Sequence, residues 1–305
     1  MQIKTIQKII EKKLNDWISS ITDLSLQQPL RDNVLLSGGS ICSMLLGEDV
    51  NDFDIYIIDR NVLMDLVKYY TQSYSSDIEV LDGRKREEYK SKIDLSYKHI
   101  NNLDSDNVIA AYPISVRNLK EDQIKLFFHS KDGGMKVNQT IEEDKLNYTP
   151  LFFSPNAISL SNKIQIVIRF HGNVEEIHKT FDFIHATNFF TFKDGLVTNK
   201  RALESIITKQ LQYQGSLYPV TSIIRSKKFT KRNWNINAGE LMKIMFQISK
   251  LDLSNPDILE EQLIGVDVAY FDLLITALRN KYESDKDFKL SNEYFNTLVD
   301  KIFQE

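Results

Sequence analysis

The sequence has few of the features that mark secreted, metal-clustered or membrane-spanning proteins. Cys42 is the single cysteine among 305 residues, which excludes an internal disulfide and a cysteine-ligated zinc site and fits a reducing cytoplasm. No stretch approaches the roughly 18 consecutive apolar residues of a membrane span, and the charged N-terminus does not fit a signal peptide. With a net charge of −4, the chain also lacks the basic excess of a protein that coats nucleic acid. We therefore expect a cytoplasmic protein with no membrane partner.

The composition is that of a globular protein with a sizeable core. Hydrophobic residues make up 42% of the chain and charged residues 26%. The length suits one large domain or two ordinary ones. We expect a first domain over residues 1–200, interrupted by an insertion at about 83–150, and a helical second domain over residues 201–305.

The most informative stretch, residues 35–58, reads LLSGGSICSMLLGEDVNDFDIYII. It predicts a strand, a glycine turn, a helix and a second strand. Gly38 and Gly39 allow a tight backbone turn that a side chain would block. Ser40 follows at a helix start, where unpaired backbone N–H groups attract phosphate. The turn is therefore a candidate phosphate-binding site.

Two acids on the second strand point to a metal. Asp52 and Asp54 are two residues apart on an extended segment, so both carboxylates project to the same side. Their mutual repulsion is costly, and a divalent cation such as Mg²⁺ (or Mn²⁺), bound together with substrate phosphates, would remove it. With the glycine turn, the pair predicts a phosphoryl-transfer site for a nucleoside triphosphate. The competing interpretation is an ordinary glycine turn and an acidic loop edge.

The spacing of these residues resembles the signature of the polymerase beta superfamily of nucleotidyltransferases. More narrowly, GGSICSMLLGEDVNDFDI resembles the opening motif of tRNA CCA-adding enzymes and bacterial poly(A) polymerases. The resemblance implies an α+β fold, in which a small mixed sheet flanked by helices precedes an all-helical C-terminal domain. It also implies transfer of a nucleoside monophosphate, for example from ATP, to an acceptor hydroxyl at an RNA or tRNA 3′ end. The layout further resembles nucleotidyltransferase-like proteins of tailed bacteriophages.

A weaker resemblance bears on a third metal-binding acid. Residues 157–170 predict a β-hairpin, and Asp182 then matches the acid of an Asp-Phe-Thr-Ile-Asn-Ala motif in the same enzymes. The resemblance implies that Asp182 is catalytic and shares the metal with the two strand acids. Ala186 replaces that motif's asparagine, and Gln165 stands where some relatives carry the third acid on the hairpin. The third carboxylate is left open between Asp182, Glu79 and none, in that order.

The resemblance also implies nucleotide-binding residues. Arg169 matches an arginine that faces the nucleotide, with a surface ion pair as the alternative. His185 could bind a phosphate or a base, with a satisfied buried histidine as the alternative. Arg225, Lys228 and Arg232 recur at spacings of three and four residues, which places them on one helix face. That pattern resembles the neck helix of the CCA-adding enzymes, and its alternative is a solvated basic stripe.

Two other interpretations remain beside RNA nucleotidyl transfer. One is a catalytically inactive binding or structural protein built on this fold, which the departures at Gln165 and Ala186 favour. Retention of Asp52 and Asp54 opposes it. The other is a nucleotidyltransferase that modifies a protein or a small molecule. A charged run at residues 83–99 is either an exposed segment or a basic surface for a nucleic-acid backbone.

Overall fold

The computed structural model describes residues 2–89, 119–128, 134–137, 148–263, 268–285 and 287–302. Most of the predicted insertion at 83–150, and the charged run from residue 90 onward, lie outside these ranges. Within them, no helix combines the length and the apolar character needed to cross a membrane. Contacts divide the chain into two units. The first unit is Met1–His178 with His185–Ile207, and the second is Lys179–Ile184 with Thr208–Glu305.

Strands of the first unit form one large sheet and one small one. In chain order they are β1 (Val34–Ser37), β2 (Phe53–Ile57), β3 (Ile78–Asp82), β4 (Ile124–Phe128), β5 (Met135–Lys136), β6 (Pro150–Ser154), β7 (Ala157–Leu160), β8 (Ile164–His171), β9 (Phe189–Thr191) and β10 (Gly195–Val197). The large sheet has the order β10-β9-β1-β2-β8-β7-β6-β5, and β3 pairs with β4. Only the β2–β8 pairing is parallel in the described sheets, so the sheet is mixed, as predicted.

Helices of the first unit cover this sheet. They are α1 (Ile3–Ser20), α2 (Leu24–Asn33), α3 (Gly39–Leu46), α4 (Arg60–Thr71), α5 (Val174–His178) and α6 (Lys200–Thr208). The helical spacing of apolar residues in α1 buries Ile10, Leu14 and Trp17 completely. Trp17 Nε1 donates a hydrogen bond of 3.0 Å to the Tyr70 hydroxyl on α4, and burial raises the pKa of Tyr70.

Local signals explain the elements around β8. The predicted hairpin is confirmed, and its turn residues Asn162 and Lys163 adopt positive φ angles of 60° and 62°. Asn173 caps the start of α5. Its side chain accepts from the Glu176 N–H (3.0 Å), while Glu176 Oε2 accepts from the Asn173 N–H (2.8 Å). This reciprocal pair satisfies two donors at the start of α5.

The second unit is helical apart from short bridges. Its helices are α7 (Pro219–Thr230), α8 (Ala238–Ile248), α9 (Pro256–Gln262), α10 (Val268–Ser284) and α11 (Asn292–Ile302). A small core holds part of this unit together, and its buried members are Leu259, Leu263, Leu274, Ile275 and Leu278. The α+β class with a helical C-terminal region is therefore confirmed.

One detail of the helical pattern was predicted wrongly. Arg232 does not belong to a helix face with Arg225, because α7 ends at Thr230. The range 256–282 contains both α9 and the greater part of α10. On α6, Ile207 is 80% exposed, because the buried face consists of Ala202, Ser205 and Ile206.

Candidate functional site

The glycine turn joins β1 to α3 and packs directly against an acid. Gly38 has φ 103° and ψ −152°, a conformation that only glycine adopts readily. A Cβ placed on Gly38 would lie 3.0 Å from Asp54 Oδ2. At Gly39, by contrast, no described atom outside its chain neighbours and its own helix backbone lies within 4 Å of where a Cβ would be. The turn thus brings the first residues of α3 to the Asp54 carboxylate and leaves open space beside Gly39.

Ser40 contributes a buried hydroxyl at the start of α3. The residue is 2% exposed, and its Oγ has no hydrogen-bond partner in the part of the chain that the structure describes. Buried hydroxyls are normally paired, because an unpaired one loses its hydration without compensation. The predicted phosphate-binding position therefore carries a donor that the described protein atoms leave unused.

The two strand acids have different surroundings. Asp54 lies in β2 between the buried side chains of Phe53 and Ile55, and it is half-buried. Asp52 precedes β2 and is exposed. The protein atoms around its carboxylate nevertheless remove part of its hydration, which raises its pKa above the ordinary value. The charge of Lys163 opposes that rise. Lys163, whose Nζ donates to the Val50 carbonyl at 2.8 Å, is a neighbour of this site that the sequence did not identify.

Gln165 occupies the strand position beside Asp54. In the parallel pairing of β2 and β8, Asp54 is in register with Gln165, which in turn is in register with Ser159 on β7. Residues in register project to the same face of a sheet. The position that the resemblance reserves for a third acid is therefore adjacent to Asp54, and an amide stands there.

Candidates for the third acid lie in separate surroundings. Glu79 is in β3, opposite Phe127 of the two-stranded sheet, and so lies outside the sheet that carries β2. Across the described ranges, no three His, Cys, Asp or Glu side chains are grouped so that they could hold a metal ion. A metal at Asp52 and Asp54 would take its remaining oxygen ligands from water and substrate.

Asp182 lies in the second unit and makes a salt bridge there. The residue is 4% exposed; its Oδ2 accepts from Arg225 Nη1 at 2.6 Å, and its Oδ1 accepts from Ser216 Oγ at 2.8 Å. The Asp182 carbonyl also accepts from the Gln214 N–H at 3.0 Å. These contacts fasten the segment 179–184 to α7. Its role as a metal ligand stays a prediction.

We expect Asp182→Asn to destabilise the second unit. The change removes the charge that Arg225 pairs with, and we expect a loss of about 1–2 kcal/mol, because part of that charge–charge energy is screened at the half-exposed arginine. Urea unfolding measures the loss. The matched control is Asp285→Asn, which breaks an exposed pair with Lys281 and should change stability by less than about 0.5 kcal/mol. Equal losses in the two variants would contradict this role.

The other residues predicted to bind the nucleotide lie in different surroundings. Arg169 is 4% exposed and is therefore not a surface residue; its Nη1 lies 3.5 Å from Asn156 Oδ1. His185 is 3% exposed. Lys228 is exposed on α7, and Arg232 lies beyond that helix with its guanidinium 5.5 Å from the centre of the Phe229 ring. Nucleotide binding by these residues stays a prediction.

A half-buried histidine, His178, contacts the residue that precedes the glycine turn. Ser37 Oγ is 2.9 Å from His178 Nε2 and 2.9 Å from the Asn188 carbonyl. The hydroxyl has one proton, and the carbonyl accepts it, so the neutral imidazole donates its Nε2–H to Ser37. Burial lowers the pKa of His178 to about 4. No motif in the sequence marked this histidine.

We expect the half-buried His178 to make stability depend on pH. Its pKa is lower in the folded chain than the ordinary value of 6.5, so the unfolded chain binds more protons in the interval between the two values. The free energy of unfolding should therefore fall as the pH is lowered from about 6.5 towards 4. Urea unfolding at several pH values measures this slope, and His178→Gln should flatten it. If the free energy of unfolding has the same pH slope in wild type and variant, His178 is not the group responsible.

The strand–turn–helix–strand unit with paired aspartates lies in a mixed sheet and is followed by helices, which is the α+β arrangement that the sequence resemblance implied. A family model described as Gabija anti-defense 2 family protein matches residues 8–209, and the chain belongs to that family. A curated relative, Gabija anti-defense 2 of Bacillus phage SPbetaL7, is 25% identical over 146 residues. That match spans 47% of this chain and 35% of the phage protein, so it covers little more than a third of the relative's length.

Solved structures with a detectable likeness are tRNA-processing enzymes. A Thermotoga maritima CCA-adding enzyme complexed with tRNA is 11% identical and has a TM-score of 0.36; the likeness covers 94% of this chain and 59% of that chain. A tRNA nucleotidyltransferase complexed with a primer tRNA and an ATP analogue is 14% identical, with a TM-score of 0.36, over 89% of this chain and 65% of that chain. Both likenesses are weak.

Proposed function

We propose that the protein is a metal-dependent nucleotidyltransferase that moves a nucleoside monophosphate from a nucleoside triphosphate to an acceptor hydroxyl. The contact between the glycine turn and Asp54 carries this proposal, because it sets the N–H groups at the start of α3 beside a carboxylate. Donors that bind phosphate and acids that bind a cation are the two parts that phosphoryl transfer needs.

In the proposed reaction the acceptor oxygen forms a bond to the α-phosphorus. The bond from that phosphorus to the bridging oxygen of the β-phosphate breaks, pyrophosphate leaves, and the acceptor proton passes to solvent. The backbone of Gly38 and Gly39 and the Ser40 hydroxyl would hold the β- and γ-phosphates. Asp52 and Asp54 would orient the triphosphate through a shared cation.

The donor set at these two acids fits Mg²⁺ or Mn²⁺. Magnesium prefers oxygen ligands and is commonly held by one or two carboxylates together with substrate phosphates and water. Asp52 and Asp54 supply two carboxylates at the start of β2, and water and substrate phosphates would supply the other oxygen ligands. When bound, the ion would neutralise charge on the triphosphate and the leaving pyrophosphate.

The family's name supports a role against a defence system called Gabija. We propose that the nucleotidyl acceptor is a component whose modification disables that defence. The resemblance to CCA-adding enzymes favours an RNA 3′ end as acceptor, and a protein hydroxyl is the alternative. Both acceptors present an oxygen nucleophile to the same two acids, so the chemistry at Asp52 and Asp54 is common to them.

A second candidate function is nucleotide binding without transfer. Gln165 favours it, because an uncharged amide at the third position supplies less negative charge than a carboxylate for holding a second cation. Such a protein would bind a nucleoside triphosphate or its cation complex and act against the defence by occupying a partner.

One assay separates these functions. The protein is incubated with Mg²⁺ or Mn²⁺ and each α-labelled nucleoside triphosphate in turn, with total RNA or with protein from cells that carry the defence. An Asp52→Ala/Asp54→Ala variant is run in parallel. Label that enters RNA or protein only with the intact chain supports transfer and identifies the acceptor class. A folded protein that binds the triphosphate in calorimetry and labels neither acceptor refutes the enzyme and favours the binding protein.

A further inference from the structure

Helix α8 in the second unit packs a face with two polar residues against the protein and exposes an apolar face to solvent. Its packed face contains Ile244, which is fully buried, and two polar residues that bond to the chain beneath them. Glu240 Oε2 accepts from the Tyr213 N–H at 2.7 Å, and Gln247 Oε1 accepts from the Ser216 N–H at 3.2 Å and from the Tyr213 hydroxyl. These three residues lie within about 60° of one another at 100° per residue.

The opposite face of α8 is apolar and exposed. Its four large side chains, which we call the apolar stripe, are Leu241, Met242, Met245 and Phe246. The exposed fraction is 65% for Met242, 54% for Met245 and 65% for Phe246. Single exposed apolar residues are ordinary, but four on one helix face form a contiguous patch of the kind that marks an interaction site. Methionine and phenylalanine are also enriched at protein interfaces.

A lysine borders the C-terminal end of the apolar stripe, where Lys250 Nζ lies 4.3 Å from the centre of the Phe246 ring. Further basic residues precede α8 in the chain: Lys227 and Lys228 near the end of α7, and Lys231 and Arg232 after it. Residues 225–250 carry seven basic side chains and one acidic side chain in a chain whose net charge is −4, and two of the seven are paired, Arg225 with Asp182 and Lys243 with Glu240. The remaining surplus of positive charge around the stripe favours an acidic partner.

Two other partners for the apolar stripe, a second copy of this chain and an RNA strand, fit its surroundings less well. A second copy of this chain in a two-fold contact would bring the same basic borders against each other. An RNA strand would pair its phosphates with the lysines, but it would leave the leucine and methionines of the stripe in water. An acidic protein segment satisfies both the apolar stripe and its border.

We propose that the apolar stripe of α8 is a docking surface for an acidic amphipathic helix of another protein. Such a helix would place apolar residues at positions i, i+3, i+4 and i+7 on the stripe and acidic residues beside Lys250 and towards the basic residues that precede α8. The inference does not depend on nucleotidyl transfer, because a binding protein and an enzyme would both need to hold a partner.

The probe for this proposal is a pair of labelled synthetic helices. Both carry leucines at i, i+3, i+4 and i+7; one has glutamates and the other lysines at the flanking positions. Fluorescence anisotropy with the full chain measures binding. We expect the acidic helix to bind at least about tenfold more tightly than its basic twin, and this preference to shrink at high salt.

Variants locate the binding on α8. Met242→Ser/Phe246→Ser should weaken binding of the acidic helix about tenfold or more. Lys250→Glu leaves the stripe intact and should reduce the preference for the acidic helix. It therefore provides a test that does not depend on whether the double variant folds. The matched control is Ile207→Ser, which removes an equally exposed apolar side chain from α6 and should leave binding unchanged.

Three results would overturn the proposal. The first is equal binding of the two helices, or equal binding by wild type and Lys250→Glu. The second is a dimer in sedimentation that the double serine variant dissociates, which would assign the stripe to a second copy. The third is binding of single-stranded RNA, weakened by Lys250→Glu, together with no binding of the acidic helix.

Discussion

Replacing Asp54 with alanine should reduce metal-dependent nucleotidyl transfer by about a thousandfold or more. Asp54 is the acid that touches the glycine turn, so its loss removes a metal ligand and a negative charge next to the bound phosphates. Several kcal/mol of transition-state stabilisation depend on such a cation, and about 4 kcal/mol corresponds to a thousandfold in rate. Label transfer from an α-labelled triphosphate at saturating Mg²⁺ measures the effect.

The control for this variant is Asp49→Ala. Asp49 is an exposed acid in the same turn between α3 and β2, and removing it changes net charge by the same amount. We expect this variant to retain transfer activity within about twofold, because exposed charges a few residues from a site act weakly through solvent. Thermal unfolding confirms that both variants are folded. Full activity in a folded Asp54→Ala protein would refute the proposed site.

Replacing Gly38 with alanine should damage both the fold and the reaction. The backbone at Gly38 has φ 103°, which costs a non-glycine residue about 1–3 kcal/mol. The new methyl group would also press on Asp54 Oδ2, 3.0 Å away. A shift of the Asp54 carboxylate by about 1 Å is enough to lower transfer by roughly a hundredfold. Urea unfolding and the transfer assay measure the two losses separately.

The variant Gly39→Ala tests whether a methyl group obstructs phosphate binding, without the backbone strain that we expect in Gly38→Ala. A methyl group at Gly39 meets no described atom within 4 Å outside its chain neighbours and its own helix backbone, so stability should stay within about 0.5 kcal/mol of wild type. If a phosphate occupies that open space, the methyl group will still weaken triphosphate binding. A variant with unchanged stability and unchanged affinity for the triphosphate would show that the phosphates bind elsewhere. Equal stability of the Gly38 and Gly39 variants would contradict the strain argument.

Local sequence signals predicted the central motif well. A short apolar run, two glycines, apolar residues at helical spacing and an alternating strand are each set by neighbours a few residues away, and β1, α3 and β2 follow them. The hairpin at β7 and β8 and the cap at Asn173 are equally local. Helical spacing in the last third predicted helices correctly but not their ends, because breaks such as the one after Thr230 depend on packing within the second unit.

The sequence by itself determined the glycine turn and two acids at the start of one strand, because each depends on nearby residues, and its family resemblance indicated the α+β class. Only the tertiary structure decided which distant residues meet them. Strand pairing between β2 and β8 put Gln165 beside Asp54, and folding of the second unit joined Asp182 to Arg225. Folding of the first unit brought His178 to Ser37, and packing of the second unit turned the apolar face of α8 outward. These partners lie tens of residues or more apart along the chain, where no periodicity links them, so packing alone selects them.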